Sequence, residues 1–142
     1  MDDVLLAKAG IIERCIVRVN EDYVGYEVEL EANFTRQDAI LLNLQRACEA
    51  AIDGAMHLVR INRLGVPTDS RQAFIYLIGA KMLPPELDQH LIAMVGFRNI
   101  AVHNYRQLDM NVVHAIIRNR LADLKAFARL MVERGSTGVT RG

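Results

Sequence analysis

The stretch TRQDAILLNLQRACEAAIDGAMHLVRI, residues 35–61, decides the fold. Ile40, Leu44, Ala47, Ala51, Leu58 and Ile61 recur in steps of three and four, the spacing of one face of an α-helix. A second stripe, Leu41, Cys48, Ile52, Ala55 and Val59, runs beside the first. One apolar stripe places a helix on a surface, whereas two require neighbours on two sides. The segment therefore reads as the longest helix of a bundle and its central one. Thr35 followed by Asp38 resembles a capping box at its start, and Gly65 and Pro67 close it.

The flanking segments carry the same rhythm. Leu5, Ala9, Ile12, Ile16 and Val19 mark a first amphipathic helix. From Glu21 to Glu31, around Gly25, no helical stripe survives, which predicts a helix end and an irregular connection. A short helix is expected after Thr68 or Asp69 as its cap, with Ala73, Phe74, Leu77 and Ile78 inward and an end near Leu83. Pro84-Pro85 suits the first turn of a fourth helix. The last helix is predicted from Asp109 through Val113, Ile117, Leu121, Leu124, Ala128 and Met131. With no hairpin signal and no repeat, the expectation is an all-α bundle of about five helices in one domain, residues 1–134. Residues 135–142 are expected as a disordered tail.

The chain has 142 residues, 51% of them hydrophobic, enough to bury a core without disulfides or a metal. It contains no apolar run of the ~18 residues a membrane span needs, and Met1-Asp2-Asp3 lacks the basic start of a secretory signal. A cytoplasmic protein with no membrane partner is expected. Cys15 and Cys48 stand far apart inside apolar stripes with no CxxC partner, so both read as buried thiols. A net charge of zero argues against coating long nucleic acid. The charge is nevertheless uneven. Residues 1–34 hold eight acids against Lys8, Arg14 and Arg18, while residues 98–134 hold seven bases against Asp109, Asp123 and Glu133.

The fourth helix carries the chemistry. Its stripe Leu87, Leu91, Met94 meets Arg98 before Ala101, then Tyr105, and the neighbouring stripe Ile92, Val95 meets Asn99 before Val102. A guanidinium withdrawn from water costs on the order of several kcal/mol unless it is paired. His103 follows Arg98 by five residues, about 140° around a continuous helix. The two side chains meet on one ligand only if the helix ends near residue 102, or if a second copy of the chain completes the site. The residue types suit RNA cleavage without a metal: histidine moves protons near neutral pH, and arginine stabilises charge on phosphoryl oxygens. Tyr105 suits a phosphate contact or a stacked base. The residues alone leave a second reading open, in which Arg98 pairs with Asp53 or Glu49 and His103 only ends a helix.

The other candidates read as structural. His57 lies four residues after Asp53, and His90 four after Glu86, which favours helical ion pairs over metal ligation. His114 is expected partly buried on the last helix. Arg106, Arg118 and Arg120 form either a positive track or a solvated face.

Residues 51–58 (AIDGAMHL), 71–74 (RQAF), 83–87 (LPPEL) and 94–99 (MVGFRN) resemble, in the same order, stretches of the HEPN superfamily. Within it the likeness is to HepT-like toxins encoded beside a minimal nucleotidyltransferase, over most of residues 36–132. The resemblance implies a symmetric homodimer acting as an endoribonuclease, with Arg98 and His103 as the catalytic pair gathered from both subunits at the dimer cleft, and no cofactor. It implies RNA as substrate and a cognate minimal nucleotidyltransferase antitoxin (MntA-like) as partner, which can AMPylate Tyr105 and silence the toxin. Asn99 matches a polar neighbour in the family motif that supports Arg98 or the substrate, and Asn104 takes no role. The alternative within the resemblance is a non-catalytic binding module for a nucleotidyltransferase or a nucleotide.

Overall fold

The computed structural model describes residues 1–103 and 108–137, without the side chains of His103 and Thr137. The described residues form six helices and no strand: α1 Asp3–Tyr23, α2 Phe34–Ile61, α3 Ser70–Gly79, α4 Pro85–His103, α5 Met110–Asn119 and α6 Leu121–Thr137. The expectation of an all-α bundle holds, and its count of about five becomes six because the last helix is two. At Arg120 the backbone leaves the helix (φ −110, ψ −15) after its N–H bonds Ile116 O at 2.7 Å, and Arg120 O then accepts from Asp123 N at 3.0 Å. The apolar stripe continues across this break through buried Ile117, Leu121 and Leu124.

The central helix lies where its two stripes require. α2 packs against α1, α3, α4 and α6. Every residue of the second stripe is buried, and so is the first stripe as far as Leu58, whereas Ile61 is exposed. Its cap differs from the expected Thr35–Asp38 box. Asn33 caps the helix, accepting from Arg36 N at 3.0 Å, so α2 begins at Phe34. Asn is as strong a cap as Thr. Gly54 faces Met131 of α6 so closely that a Cβ there would run into the methionine sulfur.

The connection before α2 is irregular, as expected. Consecutive turns from Tyr26 to Asn33 carry Leu30 into the core, and Gln37 Nε2 donates to the carbonyls of Leu30 and Glu31, both at 2.9 Å. Arg36 stacks over the Tyr26 ring at 3.6 Å and donates to Asp22 O at 2.9 Å.

Asp69 caps α3, accepting from Gln72 N at 2.8 Å. α3 ends at Gly79, earlier than the expected Leu83. Lys81 takes φ 59, and Met82 N bonds Leu77 O at 2.9 Å, a Schellman closure that turns Met82 and Leu83 inward. Pro85 opens α4 and Asp109 caps α5, both as expected. Phe74 of α3 and Phe127 of α6 meet at 5.6 Å in the core.

The start of α1 meets the last turns of α6. Asp2 caps α1, and its own N–H donates to the carbonyl of Gly135 at 2.9 Å. α6 thus covers residues 135–137 of the segment expected as a tail, and residues 138–142 lie outside the described residues. Cys15 and Cys48 are free thiols in the core. Among the described residues no helix is long and apolar enough to cross a membrane.

Candidate active site

α3 and α4 pack against each other and bring Ser70, in the first turn of α3, to Arg98 in the second half of α4. Arg98 is half-buried, and its Nη2 donates to Ser70 Oγ at 2.9 Å. Its Nε is enclosed and has no hydrogen-bond partner among the described residues. The expected carboxylate pairing does not form. Asp53 binds Lys8 Nζ at 3.1 Å, and Glu49 accepts from Gln45 Nε2 at 3.3 Å. Among the described residues one neutral hydroxyl holds the guanidinium and no carboxylate pairs with it. The field of that charge reaches the core. Burial lifts the Cys48 thiol to about 12, while Arg98 pulls in the opposite direction.

Asn99 departs from the packing argument, because it is exposed, as are Gly96, Ile100 and Val102. The face of α4 carrying Ile92 and Val95 stops being a packing face at this point. Ile100 and Val112 are 44% and 47% exposed on the rim of an apolar groove of about 610 Å³ between α4 and α5, which Phe97 and Leu108 also line.

α4 remains helical to His103, so the helix does not end near residue 102, the first of the two conditions for the side chains to meet. A continuous helix sets Arg98 and His103 about 140° apart around the axis and roughly 7.5 Å along it. The backbone of one chain therefore does not turn the two positions toward one point. The His103 side chain, Asn104, Tyr105 and Arg106 lie outside the described residues.

The remaining histidines are held by structural contacts. His57 does not pair with Asp53. Its Nε2 lies 2.8 Å from Asp2 Oδ2 and its Nδ1 2.8 Å from Arg60 Nη2. Because an arginine only donates, Nδ1 accepts and Nε2 carries the proton given to Asp2. Burial works to raise the Asp2 carboxyl, but hydrogen bonds from His57 and from the Leu5 and Val4 amides outweigh it and hold it below its ordinary value. His90 meets Asp123 at 3.2 Å in place of Glu86. His114 is half-buried, as expected, with Nδ1 2.7 Å from the Tyr23 hydroxyl. Arg120 pairs with Asp123 at 3.1 Å, leaving Arg118 exposed. Among the described residues no three His, Cys, Asp or Glu side chains gather as metal ligands.

Sequence reasoning missed Ser70, because the neighbouring Thr68 and Asp69 account for the helix start without it. Only the approach of α3 to α4 gives it a role.

The chain is similar to known proteins over most of its length. The Ribonuclease HepT-like family model matches residues 12–131. The chain is 40% identical to the mRNA nuclease HepT of Shewanella oneidensis over 127 residues, covering 89% of this chain and 95% of that protein. It is 33% identical to the tRNA nuclease HepT of Aphanizomenon flos-aquae over 86 residues, covering 61% and 58% of the two. Among solved structures, the tri-AMPylated Shewanella oneidensis HEPN toxin in complex with MNT antitoxin superposes with a TM-score of 0.87 at 38% identity, covering 94% of this chain and 99% of that one. A toxin–antitoxin structure with AMP-PNP gives 0.86 at 38% identity, covering 92% and 99%. With the match running through α2 to α5 and parts of α1 and α6, the chain belongs to the HepT-like ribonuclease family of HEPN proteins.

Proposed function

We propose that this chain is the toxin of a toxin–antitoxin pair, an endoribonuclease that cuts RNA without a metal at a site built from Arg98 and His103 of two copies. The observation that carries the reading is the Arg98 guanidinium, held in place by Ser70 with no carboxylate against it among the described residues. Structural arginines are normally neutralised. One that is oriented yet uncompensated is prepared for an anion from outside the chain.

The chemistry assigns each group one task. The ribose 2′-hydroxyl gives up its proton and attacks the adjacent phosphorus, and the bond to the 5′-oxygen breaks as that oxygen gains a proton. His103 moves these protons, and Arg98 stabilises the charge on the non-bridging oxygens. The products are a 2′,3′-cyclic phosphate and a 5′-hydroxyl. Asn99, exposed one residue after Arg98, suits contact with the substrate.

The angle along α4 supports a homodimer. A second copy supplies His103 to the Arg98 of the first, and the apolar groove between α4 and α5 offers a face on the same helix to bury. The cognate partner is an MntA-like minimal nucleotidyltransferase, since relatives of this fold are found in complex with MNT antitoxin. That partner silences the toxin by AMPylating Tyr105, which sets a bulky phosphorylated group two residues past His103. The pair acts in the cytoplasm, where its RNA is.

Purified protein incubated with RNA in excess chelator tests the reaction. The unmodified chain releases cyclic-phosphate ends, while Arg98→Ala and His103→Ala release none. If all three cut alike, or none cuts and induction of the chain leaves growth unaffected, a non-catalytic binding module replaces the nuclease.

A further inference from the structure

Lys8, Arg14 and Arg18 are the only bases among residues 1–34, a segment that also carries eight acids. All three line one groove. It lies between α1 and α2, measures about 550 Å³, and receives Arg46 from α2 on its other wall. Of its two acids, Asp53 is paired with Lys8 at 3.1 Å, while Glu49, which accepts from Gln45 Nε2 at 3.3 Å, keeps its charge against three arginines. Arg14, Arg18 and Arg46 are exposed and make no ion pair or hydrogen bond among the described residues. Their charges converge, because all three act on the Cys15 thiol at the groove wall, opposing the burial that pushes that thiol up.

Like charges gathered on two packed helices repel one another, and the bundle gains nothing from them. A neutral chain that places its N-terminal bases on one wall, while the acids of the same segment do not line it, has formed a local positive field. We propose that this groove binds the phosphodiester backbone of single-stranded RNA outside the cleavage site, holding the strand whose linkage Arg98 and His103 cut. The inference rests on the nuclease reading for the identity of the strand.

The ligand class follows from the side chains. Three guanidiniums offer planar forks that match phosphate oxygens. Arg14 and Arg18 are one helical turn apart, about 6 Å, so they meet successive anionic groups along an extended strand. No aromatic residue lines the groove, so bases have no stacking platform there and the backbone alone is held, without sequence preference. The groove is separate from the Arg98 pocket. Its lining comes from α1 and α2, and neither Arg98 nor any other residue of α4 is part of it.

The test uses the full chain carrying His103→Ala, so that RNA survives, and follows binding of a labelled single-stranded RNA across a salt series. Arg14→Gln, Arg18→Gln and Arg46→Gln together are expected to weaken binding at least tenfold and to reduce the slope of log affinity against log salt by about 2, near 0.7 for each arginine. The triple Lys variant keeps most of the slope. Cleavage of a dinucleotide, too short to reach the groove, is unchanged by the Gln substitutions in a chain with His103 intact. Affinity and slope equal to the parent overturn the proposal even if the nuclease reading stands. Arginine-dependent binding without any cleavage retains the groove and sinks the nuclease. Loss of association with the cognate antitoxin but not with RNA also overturns it and assigns the groove to an acidic protein surface. Should the triple variant fail to fold, the three single variants carry the same slope test.

Discussion

Arg98 of α4 and Ser70 of α3 are joined by a hydrogen bond of 2.9 Å from the guanidinium Nη2 to the serine hydroxyl oxygen. A hydroxyl fixes the direction of a guanidinium without cancelling its charge. A carboxylate in the same place would hold it more tightly and blunt it toward a phosphate. Ser70 therefore acts as a positioning residue, through Arg98.

Replacing Ser70 tests that role. Ser70→Ala removes the acceptor and is expected to lower kcat for RNA cleavage about tenfold, equivalent to roughly 1.4 kcal/mol of transition-state stabilisation, with little change in KM. Ser70→Thr keeps the hydroxyl and restores most of the rate. A loss that threonine does not rescue, or that tracks with a lowered Tm, would reduce Ser70 to a helix-start residue.

The contact between Asp2 and His57 makes stability depend on pH at the acid end. The Asp2 carboxyl is held below its ordinary value in the folded chain, so its contribution is fully present above about pH 4 and is lost as pH falls through the depressed value. Asp2→Ala, which also removes the α1 cap, is expected to cost about 1 kcal/mol at neutral pH by denaturant unfolding. The gap from the parent closes as pH drops below 4. A gap that stays constant down to pH 2 would show that the carboxylate charge contributes nothing beyond the cap.

Gly54 sets the spacing of α2 against α6. Alanine at an ordinary helical position gains about 1 kcal/mol over glycine, but here its Cβ meets the sulfur of Met131, a side chain fully enclosed by the core. Overpacking costs about 1–3 kcal/mol, so Gly54→Ala is expected to lower stability on balance. In a Met131→Ala background the same change becomes neutral or stabilising. Equal effects in both backgrounds would mean that the helices move apart freely.

Much of this molecule was legible before any coordinate. The paired stripes of residues 40–59 and the caps at Asp69 and Asp109 depend on local periodicity and short-range hydrogen bonds, which the sequence displays directly. The break at Arg120 was hidden because no glycine or proline marks it and the apolar stripe runs through it unchanged. Thr35 with Asp38 matched a capping pattern, whereas the cap is Asn33, two residues earlier, which has no such pattern behind it. Arg98 was legible as a charge out of place, but not its partner, since Ser70 is 28 residues away in sequence and meets it only through packing. The basic groove was hidden for a different reason. The charge of residues 1–34 sums to an acidic segment, and only the helical face separates Lys8, Arg14 and Arg18 from the acids around them.

The shared site is tested most directly by mixing two dead proteins. Arg98→Ala and His103→Ala chains, unfolded together and refolded, form heterodimers in which one of the two clefts joins an intact Arg98 to an intact His103. Random pairing gives about a quarter of the unmodified activity, released as cyclic-phosphate ends in chelator. If the mixture proves as inactive as either parent while heterodimers are present by mass, Arg98 and His103 do not meet across two chains.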